Sequence, residues 1–333
     1  PADVGMDKGL LFQWMAQNQT LRKANARLDK AAVEVAEWFG RKGFRTCVLK
    51  GQGNALLYPP GMERTPGDID LWVDGGDKRV ISFVRSISPD EKVCYHHIGF
   101  PEYNGVEVEV HFRPSFLFCF RHNRRLQGYY ERVMDGQFAH KVKLGEQGEV
   151  AVPKAEFNLI FQLTHIFTHL MNEGIGLRQL VDYFFLLKNT DFIGNTNGDG
   201  FLLNTDCTDN TDRIGGNADG VDRRLLQDEL RRLGLWEFAG AVMYIMKEVF
   251  GLEDNRLIVP PDVKRGRLVL KEVLEAGNFG QYDKRNWFGH SALGHNLQRL
   301  YRDLRLVRYF PEEALSEPFF RIWHFFWRKR IVR

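Results

Sequence analysis

Apolar residues recur at helical spacing early in the chain. Leu21, Ala24, Leu28, Ala31, Val35 and Phe39 fall on one stripe, which predicts an amphipathic helix from Leu10 to Phe39, ended by Gly40 and Gly43. Phe44 to Leu49 then reads as a strand. Lys50-Gly51-Gln52-Gly53 reads as a tight turn, and Asn54 to Tyr58 as a short helix stopped by Pro59-Pro60-Gly61. A strand is predicted through Asp68 to Val73, and a helix over Lys78 to Ser86. Val93 to Ile98 is a further strand candidate. Val106 to Phe112 alternates most cleanly: its valines face a core, while Glu107, Glu109 and His111 share the other face. Tyr103-Asn104-Gly105 is a turn signal, so these last two strands are expected to be antiparallel neighbours.

Beyond Lys154 the pattern becomes helical. Phe157 to Met171, Leu177 to Lys188, Leu225 to Leu233, Glu237 to Phe250, Lys264 to Glu275 and Leu297 to Phe310 all read as helices. Asn189 to Gly220 is rich in Asn, Asp, Gly and Thr and offers few core positions, as expected of a long insertion or mobile loop. Gly280 to His290 reads as a loop without assignable chemistry. The plan is an α+β fold: a small α/β module over 1–150 with a leading helix, then a mostly helical module over 151–333 with an insertion at about 189–220.

Composition narrows the function classes. Net charge is +3, from 46 basic against 43 acidic residues, which disfavours a dedicated nucleic-acid binder. The four cysteines, Cys47, Cys94, Cys119 and Cys207, show neither disulfide-framework nor zinc-motif spacing. No stretch reaches the ~20 apolar residues of a membrane span, and Pro1 to Leu11 shows no signal-peptide pattern. These features suit a cytoplasmic protein. The segment Glu317 to Arg333 mixes Phe319, Phe320, Trp323, Phe326 and Trp327 with Arg321, Arg328, Lys329 and Arg330. An amphipathic helix packed on the helical module explains it best; peripheral contact with a membrane surface is the alternative.

The candidate chemistry centres on Gly67-Asp68-Ile69-Asp70-Leu71-Trp72-Val73. Alternate strand positions share a face, so Asp68 and Asp70 are expected side by side, about 7 Å apart along the strand. Two acids at the mouth of a buried strand repel unless a cation bridges them. Mg²⁺ takes one or two protein carboxylates together with substrate phosphates. A third acid on an adjacent strand would complete a clamp for two ions about 3.5–4 Å apart. Glu107 and Glu109 both point the right way. A glycine turn such as Gly51-Gln52-Gly53 lets backbone amides approach phosphate. His165 and His169, spaced i, i+4, could hold zinc, but their helix lacks a metalloprotease glutamate and reads mainly as structural.

Leu49-Lys50-Gly51, Arg64, Gly67-Asp68-Ile69-Asp70-Leu71 and Glu109-Val110-His111-Phe112-Arg113 together resemble the polymerase-beta-like nucleotidyltransferase superfamily, and within it a bacterial family of uncharacterised nucleotidyltransferases. The resemblance implies an Mg²⁺- or Mn²⁺-dependent enzyme that moves a nucleoside monophosphate from an NTP to an acceptor. Asp68, Asp70 and Glu109 would be the catalytic, metal-holding acids. Lys50, Gly51, Gly53, Arg64 and Gly67 would bind nucleotide or phosphate, and His111, Arg113, His165 and His169 would bind or orient substrate. One departure is Gln52, where the superfamily usually has Ser or Gly; Lys50 and Arg64 are donors suited to replace the lost phosphate contact. Gln52 favours a rival reading, a non-catalytic nucleotide- or partner-binding protein on the same fold. Retention of all three acids favours the enzyme.

Overall fold

The structure is a computed structural model that describes residues 7–193, 220–277, 283, 285 and 292–331. Most of the predicted insertion and of the 280–290 loop lies outside these residues. The chain divides into two compact units: residues 1–112 with 137–153, and residues 113–136 with 154–333.

The first unit opens with helix α1 (Lys8–Arg41), whose N-terminus is capped by Asp7 accepting from the Leu10 amide. Its second half is buried along Leu28, Ala31, Ala32, Val35 and Phe39, four of them on the expected stripe. Strand β1 (Thr46–Leu49) leads directly into the short helix α2 (Gly51–Ala55). The glycine segment expected as a turn is thus the first turn of a helix, which begins three residues earlier than predicted. Next come β2 (Ile69–Val73), α3 (Gly76–Arg85), β3 (His97–Tyr103) and β4 (Val106–His111).

The sheet order is β1-β2-β4-β3. β1 runs antiparallel to β2, β2 parallel to β4, and β4 antiparallel to β3, so the sheet is mixed. The β3–β4 hairpin forms through Asn104-Gly105, both at positive φ, as the turn signal implied. Its first strand sits further along than expected. Val93 makes only an isolated bridge to Ile98, and a bend at Tyr95-His96 separates it from β3. Val106, Val108 and Val110 are all buried, as their alternation required. Trp38, Phe39, Phe44, Phe83 and Phe100 pack edge-on or tilted and join α1 and α3 to the sheet. A small antiparallel hairpin, β5 (Lys141–Lys143) with β6 (Glu149–Ala151), completes the unit.

The second unit is helical. It holds most of α4 (Phe120–Ala139), then α5 (Ala155–Asn172), α6 (Leu177–Asn189), α7 (Arg223–Arg232), α8 (Trp236–Glu248), α9 (Val263–Ala276), α10 (Ala292–Leu306) and α11 (Pro311–Ile331). Helix α4 is absent from the sequence expectations. The start of α11 is fixed by Glu313. Its carboxylate accepts from the Phe118 and Cys119 amides at 2.6 and 3.1 Å and pairs with His122 at 3.0 Å. Ala314, Glu317 and Phe320 are buried, whereas Leu315, Phe319, Ile322 and Phe326 are exposed. Among the described residues no helix is long and apolar enough to cross a membrane.

Candidate active site

The site is assembled by strand register. β2 and β4 are parallel neighbours with Asp70 opposite Glu109 and Trp72 opposite His111. Residues two apart share a face, so Asp70, Glu109 and His111 converge on one side of the sheet. On the partner edge of β2, Leu49 lies opposite Asp70, and Lys50 follows it directly. Lys50 has φ +51, a left-handed conformation that costs a side-chain-bearing residue on the order of 1–3 kcal/mol, and Gly51 follows at φ +27. This sharp β1–α2 turn carries the Lys50 ammonium back to Asp70, with Nζ 2.8 Å from Oδ2.

Asp70 is 2 % exposed and held from two sides. Lys50 takes one oxygen, and His111 Nε2 donates to the other at 2.9 Å. His111 Nε2 also lies 3.4 Å from Glu109 Oε2, and His97 Nδ1 lies 3.5 Å from the same oxygen. Burial alone would raise the Asp70 pKa, but the Lys50 charge and the His111 hydrogen bond outweigh it and hold the carboxyl well below its usual range. Burial likewise opposes the Glu109 charge, and His111 and His97 more than offset it. Burial works against His111, yet its hydrogen bonds to Asp70 and Glu109 raise it to about 9. Lys50 is also raised, since Asp70 and Asp68 prevail over its burial.

Asp68 is placed differently. It precedes β2 and is half-buried. The Asp70 charge, with burial second, pushes its carboxyl up to about 6. Three carboxylates thus face two cations, and Asp68 carries the surplus. Donor atoms of Asp70, Glu109 and His111 lie within 4.8 Å of one another. This oxygen-rich group, beside a carboxylate destabilised by its neighbour, fits a divalent cation. Asp68 lies outside the closest group; its charge, felt by Asp70 and Lys50, ties it to the cluster. Glu107 is exposed, whereas Glu109 contacts His97 and His111, so of the two it is Glu109 that stands in the Asp70 cluster.

The remaining expected site residues divide. A pocket of about 180 Å³ is lined by Asn25, Asp29, Gly51, Gln52, Glu63 and Arg64, with Arg64 only 8 % exposed. Asn25 on α1 donates to the Arg64 carbonyl at 3.0 Å and so holds this loop. Gln52 is buried within the turn. A Cβ on Gly53 would stand 3.2 Å from the Val152 side chain at the β6 end, so packing there favours a glycine unless Val152 shifts by a few tenths of an ångström. Gly67 directly precedes Asp68 and is half-buried. Arg113, His165 and His169 belong to the second unit. Arg113 lies over the Trp327 ring at 5.7 Å, and the two histidine rings meet edge to face at 4.3 Å. From the sequence alone, His96-His97 reads as a strand end near the cleft, with a structural role favoured over a ligand one. The bend at Tyr95-His96 turns both imidazoles onto the site, a feature that no spacing rule exposes.

A family described as "Uncharacterised nucleotidyltransferase" matches residues 3–196. No curated protein matches the chain. A solved structure similar to it is the crystal structure of an antigenic nucleotidyltransferase-like protein from Paracoccidioides brasiliensis. The identity is 16 %, covering 48 % of this chain and 75 % of that one, with a TM-score of 0.30.

Proposed function

The chain belongs to the uncharacterised nucleotidyltransferase family, and we propose that it moves a nucleoside monophosphate from an NTP to an acceptor hydroxyl or phosphate, with Asp68, Asp70 and Glu109 holding Mg²⁺ or Mn²⁺. The observation that carries this reading is the pairing of Asp70 with Glu109 across parallel strands, at the end of which Lys50 and Gly51 turn. A divalent cation bound there would neutralise phosphate charge and polarise the attacking oxygen. Glu109, kept ionised by His111 and His97, is suited to accept the proton of the attacking hydroxyl. His111 fixes the orientation of both acids through one nitrogen. Lys50 neutralises Asp70 in the metal-free protein and is the nearest ammonium for a phosphate oxygen once Asp70 engages a cation. Arg64, beside Gly51 and Gln52, supplies a second phosphate donor in place of the missing serine.

Thermal unfolding with Mg²⁺ or Mn²⁺ and each NTP tests the reading. Ligand at about 100 times its Kd stabilises a fold by about 2.7 kcal/mol. The expected gain requires metal and nucleotide together and vanishes in Asp70→Asn. Absence of any gain in the wild type contradicts the proposal. A gain without transfer of label identifies a nucleotide-binding protein instead of an enzyme.

A further inference from the structure

Beside the acids stands a group of three imidazoles, of which His96 has no part in the proposed transfer. His97 opens β3 and pairs in register with His111 near the end of β4. Consecutive strand residues point to opposite faces, so His96 would ordinarily face away from His97. The bend at Tyr95-His96 prevents this, and the Phe112 amide, donating to the His96 carbonyl at 3.0 Å, pins the bent backbone against the end of β4. The rings of His96 and His97 therefore meet edge to face at 4.4 Å, and those centroids lie 5.2 and 5.3 Å from that of His111.

The nitrogens are spaced as ligands. His96 Nε2 lies 3.1 Å from His97 Nδ1. His97 Nδ1 lies 3.5 Å from Glu109 Oε2, which lies 3.4 Å from His111 Nε2. One ligand atom from each of the three histidines falls within 4.8 Å of the other two. Donors on a tetrahedral ion with bonds near 2.0–2.1 Å stand about 3.3 Å apart. The three successive separations bracket that value without any rearrangement of the backbone. In the metal-free protein a His96–His97 hydrogen bond and the contacts of His97 and His111 with Glu109 hold these atoms together, and one ion at their centre would replace those contacts.

We propose that His96, His97, His111 and Glu109 form a binding site for a borderline transition-metal ion of the zinc class. Three imidazoles and one carboxylate match Zn²⁺ or Co²⁺ far better than Mg²⁺, which prefers oxygen donors throughout. The site shares Glu109 and His111 with the acid cluster, and His111 Nε2 gives up its hydrogen bond to Asp70 when it takes the ion; it does not depend on nucleotidyl transfer.

Co²⁺ titrated into the untagged, metal-stripped full chain, without nucleotide, tests the proposal. Bound by three nitrogens and one oxygen at low coordination number, Co²⁺ should give an intense visible band at one equivalent. Zn²⁺ should bleach that band, and Mg²⁺ in about thousandfold excess should not. His96→Ala and His97→Ala should each weaken Co²⁺ binding about tenfold or more, whereas Asp68→Asn should change it less than about threefold. A faint octahedral spectrum, displacement by Mg²⁺, or a band that survives both histidine substitutions overturns the proposal. The wild-type spectrum and the Mg²⁺ competition decide the matter even if a variant fails to fold. Failure here leaves the nucleotide reading standing, because that reading rests on metal-plus-nucleotide stabilisation through Asp70.

Discussion

Asp70 is the residue on which the site's electrostatics turn. Replacing it with Asn leaves Lys50 and His111 buried without their carboxylate, and breaking a buried pair in this way costs about 3–5 kcal/mol. Urea unfolding of metal-free Asp70→Asn should show that loss; a change below about 1 kcal/mol would mean that the two cations find other partners. Asp68 behaves in the opposite sense. Its folded pKa is raised from 3.8 to about 6, so the native state binds the proton more tightly and stability falls as pH rises through that window. Asp68→Asn should therefore stabilise the metal-free protein above pH 6, by about 1–3 kcal/mol given its partial exposure. Saturating Mg²⁺ or Mn²⁺ should shrink the difference. His111 is raised from 6.5 to about 9, so its contribution is full below pH 6.5 and is lost as pH climbs through 9. Melting temperature against pH should decline over that range in the wild type and flatten in His111→Gln.

At the level of elements, Gly53 separates packing from chemistry. Gly53→Ala places a methyl 3.2 Å from Val152 and should cost about 1 kcal/mol by overcrowding, recovered in part when combined with Val152→Ala. A loss of nucleotide response with unchanged stability would instead assign Gly53 to phosphate. The strands of the site were legible because burial imposes alternation: Val106, Val108 and Val110 read out β4, and the turn at Asn104-Gly105 read out its hairpin. The Asp68-Ile69-Asp70 spacing likewise disclosed the acids. Helix α4 was illegible because Phe120 to Ala139 is rich in Arg, Gln and Tyr, with too few aliphatic residues for a clean stripe. The start of α2 was masked by glycines that normally signal a turn. The convergence of His96 and His97 depends on a bend, and the Lys50–Asp70 pair on a strained turn, neither of which periodicity encodes.

For the whole molecule, the family match spans residues 3–196 and so includes every member of the acid cluster, the β1–α2 turn and the pocket beside it. The first unit alone therefore holds every residue to which the proposal gives a metal-holding, base or phosphate-donor role. The α-phosphate separates nucleotidyl transfer from phosphoryl transfer and from simple binding. The decisive measurement is incubation of the full chain with Mg²⁺ or Mn²⁺, cell extract and NTPs labelled at either the α- or the γ-phosphate. The expected result is α-label joined covalently to an acceptor, no γ-label on it, and loss of the product by a factor on the order of a thousand in Asp70→Asn. Transfer of γ-label, no transfer with any NTP, or equal transfer by Asp70→Asn would contradict the assignment.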